Sequence, residues 1–238
     1  MYDTLRGPSM RISTVVLAGF LASMAWAEDS KPSPRDALKP LHILVGSWKG
    51  TGTPEGTPDE RQKGHWTETV AWEWQFKGTE AWLKLDIAKG KHFTGGELRS
   101  VGDEFELVLA TISKQKFTYR GKLKEKQLAL ERAIPDSKLV ERLTFSLLHE
   151  NRITYRLETR FITGTTMTRL YLVGLTKEGV AFAEVGPSDR ECIVSGGKGT
   201  ITVSHNGKSY YVCCSGCRDE FKDSPEKYIK EWEAKRKK

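Results

Sequence analysis

Cysteine is absent from the first 191 residues of this 238-residue chain. Histidine is scarce at five residues, and no apolar run outside the N-terminus approaches the length of a membrane span. Each absence excludes something. The chain has no nucleophile elbow, no phosphate-binding loop, no dinucleotide fingerprint and no H-E-x-x-H helix. No pair of carboxylates stands out as catalytic. Glu68 and Glu73, or Glu158 with Arg160, read as residues on the outer faces of strands, where they solvate and pair across the sheet. The chain reads more readily as a binding protein than as an enzyme.

What cysteine there is lies in one place. Cys192, Cys213, Cys214 and Cys217 all fall in CIVSGGKGTITVSHNGKSYYVCCSGCRDEFKDSPEKY, with spacing Cys192-x20-Cys213-x3-Cys217 and Cys214 as an extra. Two thiolates four positions apart at a strand-to-helix turn can reach one ion, and a third from a distant knuckle makes three sulfur ligands. Such a soft donor set selects Zn²⁺, Cu(I) or a similar thiophilic ion. Gly196-Gly197 and Asn206-Gly207 are turn dipeptides, the second between strand-like TITVSH and SYYV. Ser215-Gly216 provides a bend before a helix from Arg218, and Ser224-Pro225 opens another through Trp232. Cys214 or His205 is the candidate fourth ligand. His205, at the tip of the expected hairpin, reads more simply as a solvent-facing turn residue. Disulfides are the competing use of these thiols, with Cys192 joined to one of the cluster.

The residues Cys192, Gly196-Gly197, Gly207 to Cys213, Gly216-Cys217, Phe221 and Ser224 to Tyr228 resemble a YHS/TRASH-type domain, a small treble-clef-like metal-binding module. The resemblance covers residues 190–232. It implies Cys192, Cys213 and Cys217 as ligands and a role in binding or sensing heavy metals, without fixing the metal.

Residues 1–27 read as a signal peptide. Arg6 and Arg11 supply positive charge, Ile12 to Trp26 is apolar, and Ala25-Trp26-Ala27 is a cleavage site. Export to a periplasm or to the outside follows, with cleavage after Ala27; an uncleaved anchor is the alternative. Oxidising compartments favour disulfides, which keeps that use of the thiols open. Residues 28–40 are Pro-rich and polar and read as a linker, turning helical near Ala37-Leu38. The formal net charge of +7 is concentrated in the tail, and residues 233–238 read as a solvated basic helix end. No aromatic-plus-basic pattern suggests nucleic acid.

Residues 41–186 carry period-2 alternation at short intervals. Val70, Trp72, Trp74 and Phe76 share a face. Further strands carry Leu83, Leu85 and Ile87; Phe105, Leu107 and Leu109; Phe117 and Tyr119; Leu128 and Leu130; Leu143, Phe145 and Leu147; Ile153, Tyr155 and Leu157; and Leu170 and Leu172 before Val180 and Phe182. About ten strands in up-and-down order lose their edges most simply by closing into a barrel. The fold class is therefore mainly β: an up-and-down barrel followed by a small α+β cysteine module.

Leu44-x-Gly46-x-Trp48-x-Gly50-x-Gly52 is similar to the first strand of calycin-type, lipocalin-like barrels. That resemblance implies a pocket for a small apolar ligand, which Trp66, Trp72, Trp74 and Trp82 could line. Core filling or stacking across strands is the favoured reading of those rings. It also raises haem, for which histidine is the usual ligand. His42, His65, His92 and His149 sit before strands or beside turns, and no histidine lies from Arg152 to Ser204, so haem is disfavoured. A barrel-centred binder of a small hydrophobic ligand, or a barrel-centred enzyme, is the alternative function; the cysteine module is then a metal- or disulfide-stapled accessory.

Overall fold

The computed structural model describes residues 32–179 and 190–236. The expected leader and the positions Val180 and Phe182 lie outside these.

Ten antiparallel strands form a closed barrel. They are β1 (Gly46–Pro54), β2 (Trp66–Lys77), β3 (Glu80–Ala88), β4 (Phe93–Val101), β5 (Glu104–Thr111), β6 (Lys116–Lys124), β7 (Gln127–Ala133), β8 (Leu139–His149), β9 (Arg152–Phe161) and β10 (Thr168–Lys177). Each pairs with its neighbours in sequence, and β10 closes onto β1 with Trp48 opposite Lys177 and Pro54 opposite Tyr171. Closure removes both sheet edges over the paired length, as the meander order required.

The alternation sorts the side chains. Trp48, Trp72 and Trp74 are fully buried inside the barrel with Leu83, Leu107, Tyr119, Leu130 and Val173. Burial of each such large side chain stabilises the fold by about 1.5–3 kcal/mol. Gly50 and Gly52 share the inner face of β1 with Trp48, and a Cβ on Gly52 would overlap the Trp66 ring. The Trp48 indole donates to the Leu44 carbonyl at 2.7 Å, and the Lys177 ammonium lies 5.1 Å from its ring. The first strand is thereby tied to the segment before it and to the last strand.

Three readings of the faces need correction. The first is Leu170 and Leu172, since the inner face of β10 carries Tyr171, Val173 and Leu175 instead. Glu68 does not lie on the outer face. Strand β2 keeps strict alternation from Trp66, so Glu68 points inward with Val70 and Trp72 and is 4% exposed. It is tolerated there because the Trp66 indole and the Tyr155 hydroxyl donate to its two oxygens at 2.8 and 2.5 Å. Trp82, by contrast, faces outward and lies under the Arg99 guanidinium at 4.2 Å. The other pairing also shifts: Glu158 is bound by Arg156, while Arg160 reaches Glu131.

The stretch read as a linker is ordered structure from Pro34. Ser33 accepts the Asp36 amide and Pro34 occupies the first turn of α1 (Pro34–Leu38), a sound helix start. A 3₁₀ turn over Lys39–Leu44 follows, and Leu38, Leu41 and Leu44 are fully buried. A second short helix, α2 (Pro58–Gly64), joins β1 to β2. It opens with a complete capping box between Thr57 and Glu60.

After the barrel come β11 (Ile201–His205), β12 (Lys208–Val212), α3 (Ser215–Asp223) and α4 (Pro225–Arg236). The two strands form a hairpin through Asn206 and Gly207, both at positive φ, the turn that the dipeptide favours. Helix α4 starts at the expected proline and continues four residues past Trp232. Barrel and module belong to one compact unit beginning at Pro32. Arg35 of α1 holds Glu231 of α4 at 2.9 Å, and α3 packs on β2.

Candidate metal centre

Cys192 is placed by a tight knuckle. Its amide donates to the Gly197 carbonyl at 2.6 Å, and the Gly196 amide returns to the Cys192 carbonyl at 2.8 Å. The knuckle is stitched to β12: Cys192 bridges Tyr211 in parallel, Ile193 donates to the Tyr211 carbonyl, and Thr200 donates to the Val212 carbonyl. A residue 20 positions upstream is thus brought beside the end of β12.

Strand β12 ends at Val212, and α3 begins at Ser215 with Cys214 at its N-cap position. The helix starts three residues earlier than the sequence reading placed it. Ser215 and Gly216 are therefore not a bend but the first helical residues, and the bend falls on Cys213 and Cys214 themselves. Gly216 serves another purpose. Strand β1 pairs with β2 only as far as Trp72, so β2 runs on past it. Helix α3 docks at that point, and a Cβ on Gly216 would overlap the Trp74 carbonyl.

The outcome is a cluster of sulfurs. The Sγ atoms of Cys192, Cys213 and Cys217 lie within 4.8 Å of one another. Cys213 stands 3.6 Å from Cys217 and 3.9 Å from Cys214. A metal–sulfur bond of about 2.3 Å requires sulfur–sulfur edges of roughly 3.8–4.0 Å in tetrahedral or trigonal geometry. The Cys213–Cys217 edge of 3.6 Å is close to that scale, and the whole trio lies within 4.8 Å. All four cysteines are free thiols; Cys192, Cys214 and Cys217 are buried, and Cys213 is partly exposed.

The structure does not bring His205 to this cluster. Its Nε2 atom lies 2.8 Å from a Glu226 carboxylate oxygen at the far end of the hairpin. Cys214 stands beside Cys213 but outside the three-sulfur group. The sequence reading missed Ser195. It is buried, its amide donates to the Cys192 sulfur at 3.4 Å, and its hydroxyl lies 3.3 Å from the Cys213 sulfur. Its place between Cys192 and the Gly-Gly turn was the available signal.

The thiols share protons unequally. Hydrogen bonds from Cys213 and then Cys217 pull Cys192 far below the ordinary thiol range, and Ser195 adds to this. Cys214 is lowered by the same two thiols and by the backbone amides of Cys217 and Trp74. Cys213 is raised, first by its bond to Cys192, and Cys217 is raised first by burial. An ion bound at this cluster would displace the thiol protons that remain there.

A crevice of about 1010 Å³ separates the module from the barrel end. Cys213 and Cys214 line it, facing His42, Glu73, Lys177 and Lys198. Burial holds the Lys177 ammonium below the usual lysine range, partly offset by Glu150 and Cys213.

A second polar cluster lies inside the barrel. Around Glu68 stand Trp66, Tyr155 and Tyr171, and the Tyr171 ring stacks on His92 at 4.4 Å. The Tyr171 hydroxyl is buried without a hydrogen-bond partner among the described residues. The pocket between Trp72, Phe145 and Tyr155 has a volume of only about 10 Å³. Rings at that level fill space.

No protein-family model matches the chain, and no curated protein matches it. Solved structures do match. One is described as the structure of EF1p2_mFAP2b bound to DFHBI. It is 11% identical, with a TM-score of 0.26 over 58% of this chain and 96% of its own length. A likeness this low carries no inference about function. No helix among the described residues is long and apolar enough to cross a membrane.

Proposed function

We propose that this chain is an exported protein that binds a thiophilic metal ion of the zinc or copper class through Cys192, Cys213 and Cys217. The YHS/TRASH-like module is the binding unit and the barrel is its scaffold. One observation carries the reading: three thiols from two separated segments lie within 4.8 Å of one another, at the end of a knuckle whose hydrogen bonds serve that placement.

The chemistry follows from burial. Cys213 is the partly exposed member and lines the crevice, so it meets an incoming ion first. Cys192 and Cys217 then complete the cup, and the remaining thiol protons leave to solvent. The Ser195 amide and hydroxyl hold Cys192 and Cys213 in orientation.

The test is anaerobic equilibrium competition against a chromophoric chelator, with Zn²⁺ and Cu(I) measured separately. The parent chain is expected to withdraw metal from the chelator. A Cys213→Ser/Cys217→Ser double variant is expected to withdraw none. Equal competition by both proteins would overturn the reading. Export is tested by intact mass after expression in a secreting host; a chain beginning at Glu28 is expected, and one retaining residues 1–27 contradicts it.

A further inference from the structure

Barrel strands alternate in direction, so the β3–β4, β5–β6, β7–β8 and β9–β10 connections all leave from one end. The cysteine module docks on β2 past Trp72, toward the other end. Among the described residues, the three most exposed large apolar side chains stand at the end away from the module: Phe161 at 65%, Ile112 at 62% and Ile162 at 58%. The same four connections carry Lys89, Lys91, Lys114 and Lys138 against one acid, Asp136. We infer that this end of the barrel docks on a membrane surface of anionic lipid. Phe161, Ile162 and Ile112 enter the interface, and the lysines meet the headgroups. The inference stands apart from the metal-binding reading.

The apolar tips are held in place by built turns. The Gly164 amide donates to the Phe161 carbonyl at 3.0 Å, and the Ile162 amide donates to the Lys138 carbonyl at 2.8 Å. The Arg160 guanidinium donates to the carbonyls of Phe161 and Ile162 at 3.3 Å and of Gly164 at 3.4 Å, and Glu131 anchors it at 3.0 Å. At the next apolar tip, the Ile112 amide donates to the His92 carbonyl at 3.3 Å, and the Lys114 amide to the Thr111 carbonyl at 2.9 Å. Both turns thus keep apolar surface in water, which docking at the acyl boundary would remove. Turns already ordered lose little conformational freedom on binding.

Charge selects the surface. Lys89, Lys91, Lys114 and Lys138 form no ion pair among the described residues. The fifth connection at this end holds α2 and carries both signs, with Arg61 and Lys63 beside Asp59 and Glu60, while Glu55 is held by Arg169. The connections between strands at the module's end have the opposite balance: Asp103, Glu125 and Glu150 against Lys126. An anionic surface therefore attracts one end and repels the other. Loop tips spread round a barrel end fit a broad planar surface better than a partner with a single recess. Docked this way, the chain holds its cysteine module away from the lipid.

The experiment is vesicle flotation of the chain from Glu28, which contains the whole compact unit. Vesicles of phosphatidylcholine alone are compared with vesicles of phosphatidylcholine mixed with phosphatidylglycerol. The parent is expected to float with the mixed vesicles, to float less with the neutral ones, and to be released as salt is raised. Phe161→Ser/Ile162→Ser and Lys114→Glu/Lys138→Glu are each expected to weaken binding by at least about tenfold. Val101→Ser, an exposed apolar residue at the module's end, is expected to leave it unchanged. Thermal unfolding confirms that each variant is folded, and the salt and lipid dependence of the parent needs no variant. A parent that does not float with anionic vesicles would overturn the inference. So would binding that survives either double change, or binding that is abolished by neutralising the basic tail at residues 235–238.

Discussion

Gly216 lies against Trp74. The first turn of α3 approaches the part of β2 beyond its pairing with β1 so closely that a Cβ at position 216 would overlap the Trp74 carbonyl oxygen. The contact couples the cysteine module to the barrel. Cys217, one of the three clustered thiols, follows directly on the residue that docks the module.

Gly216→Ala should therefore destabilise the chain by about 1–3 kcal/mol, the usual cost of overpacking a rigid contact. Gly174→Ala, where a Cβ meets nothing within 4 Å, should be close to neutral. Urea unfolding of the two variants beside the parent checks the contrast. Equal stability of all three would show that α3 is not docked on Trp74.

Glu68→Leu should cost more than a surface substitution on the same strand. It leaves the Tyr155 hydroxyl and the Trp66 indole without their acceptor inside the barrel. Two orphaned donors at about 1–3 kcal/mol each set the scale. Glu73→Leu, on the other face, should change stability by less than about 0.5 kcal/mol. Thermal unfolding of both variants at one pH decides it.

Alkaline pH should weaken the barrel steeply. Burial is the first cause that raises the hydroxyls of Tyr119, Tyr155 and Tyr171, with Glu141 and Glu68 adding to it. A native value above the unfolded one means that the unfolded chain releases its protons first. The stability contributed by these groups is intact below pH 10 and declines above it. The slope is about 1.4 kcal/mol per pH unit for each group. Denaturant midpoints from pH 8 to pH 11 should be flat and then fall. Tyr171→Phe, which also removes a hydroxyl without a partner among the described residues, should flatten the decline and cost little at neutral pH.

Ser195→Ala should lower metal affinity by about 10–100-fold without changing stoichiometry, the usual effect of removing a group that orients a ligand. Its hydroxyl contacts the Cys213 sulfur, while the amide donation to Cys192 survives the change. Chelator competition on this variant checks it. An unchanged affinity would mean that the hydroxyl orients nothing.

The barrel was legible because alternation is a local signal: Val70, Trp72 and Trp74 face inward by parity alone. Glu68 was misplaced because a carboxylate invites an outward reading. Its two donors come from Trp66 nearby and from Tyr155, 87 residues away, and only closure brings the second to it. The α2 helix has its signal in Thr57-Pro58-Asp59-Glu60, but it buries no residue and so carries no apolar period to mark it. At the cysteine cluster, the spacing of Cys192, Cys213 and Cys217 announced convergence. The start of α3 was less visible, since Cys213-Cys214-Ser215-Gly216 reads as a turn until the barrel edge is present to dock against. Gly216 and Ser195 owe their roles to contacts between segments, which no window of sequence contains.

The central claim is tested most directly by metal content and free-thiol count on the protein purified without chelator or oxygen, beside the Cys213→Ser/Cys217→Ser double variant. The account predicts at least one zinc or copper ion per parent chain, lost in the variant, and four titratable thiols once the metal is removed. A metal-free parent with few titratable thiols, and a variant of unchanged stability, would contradict it.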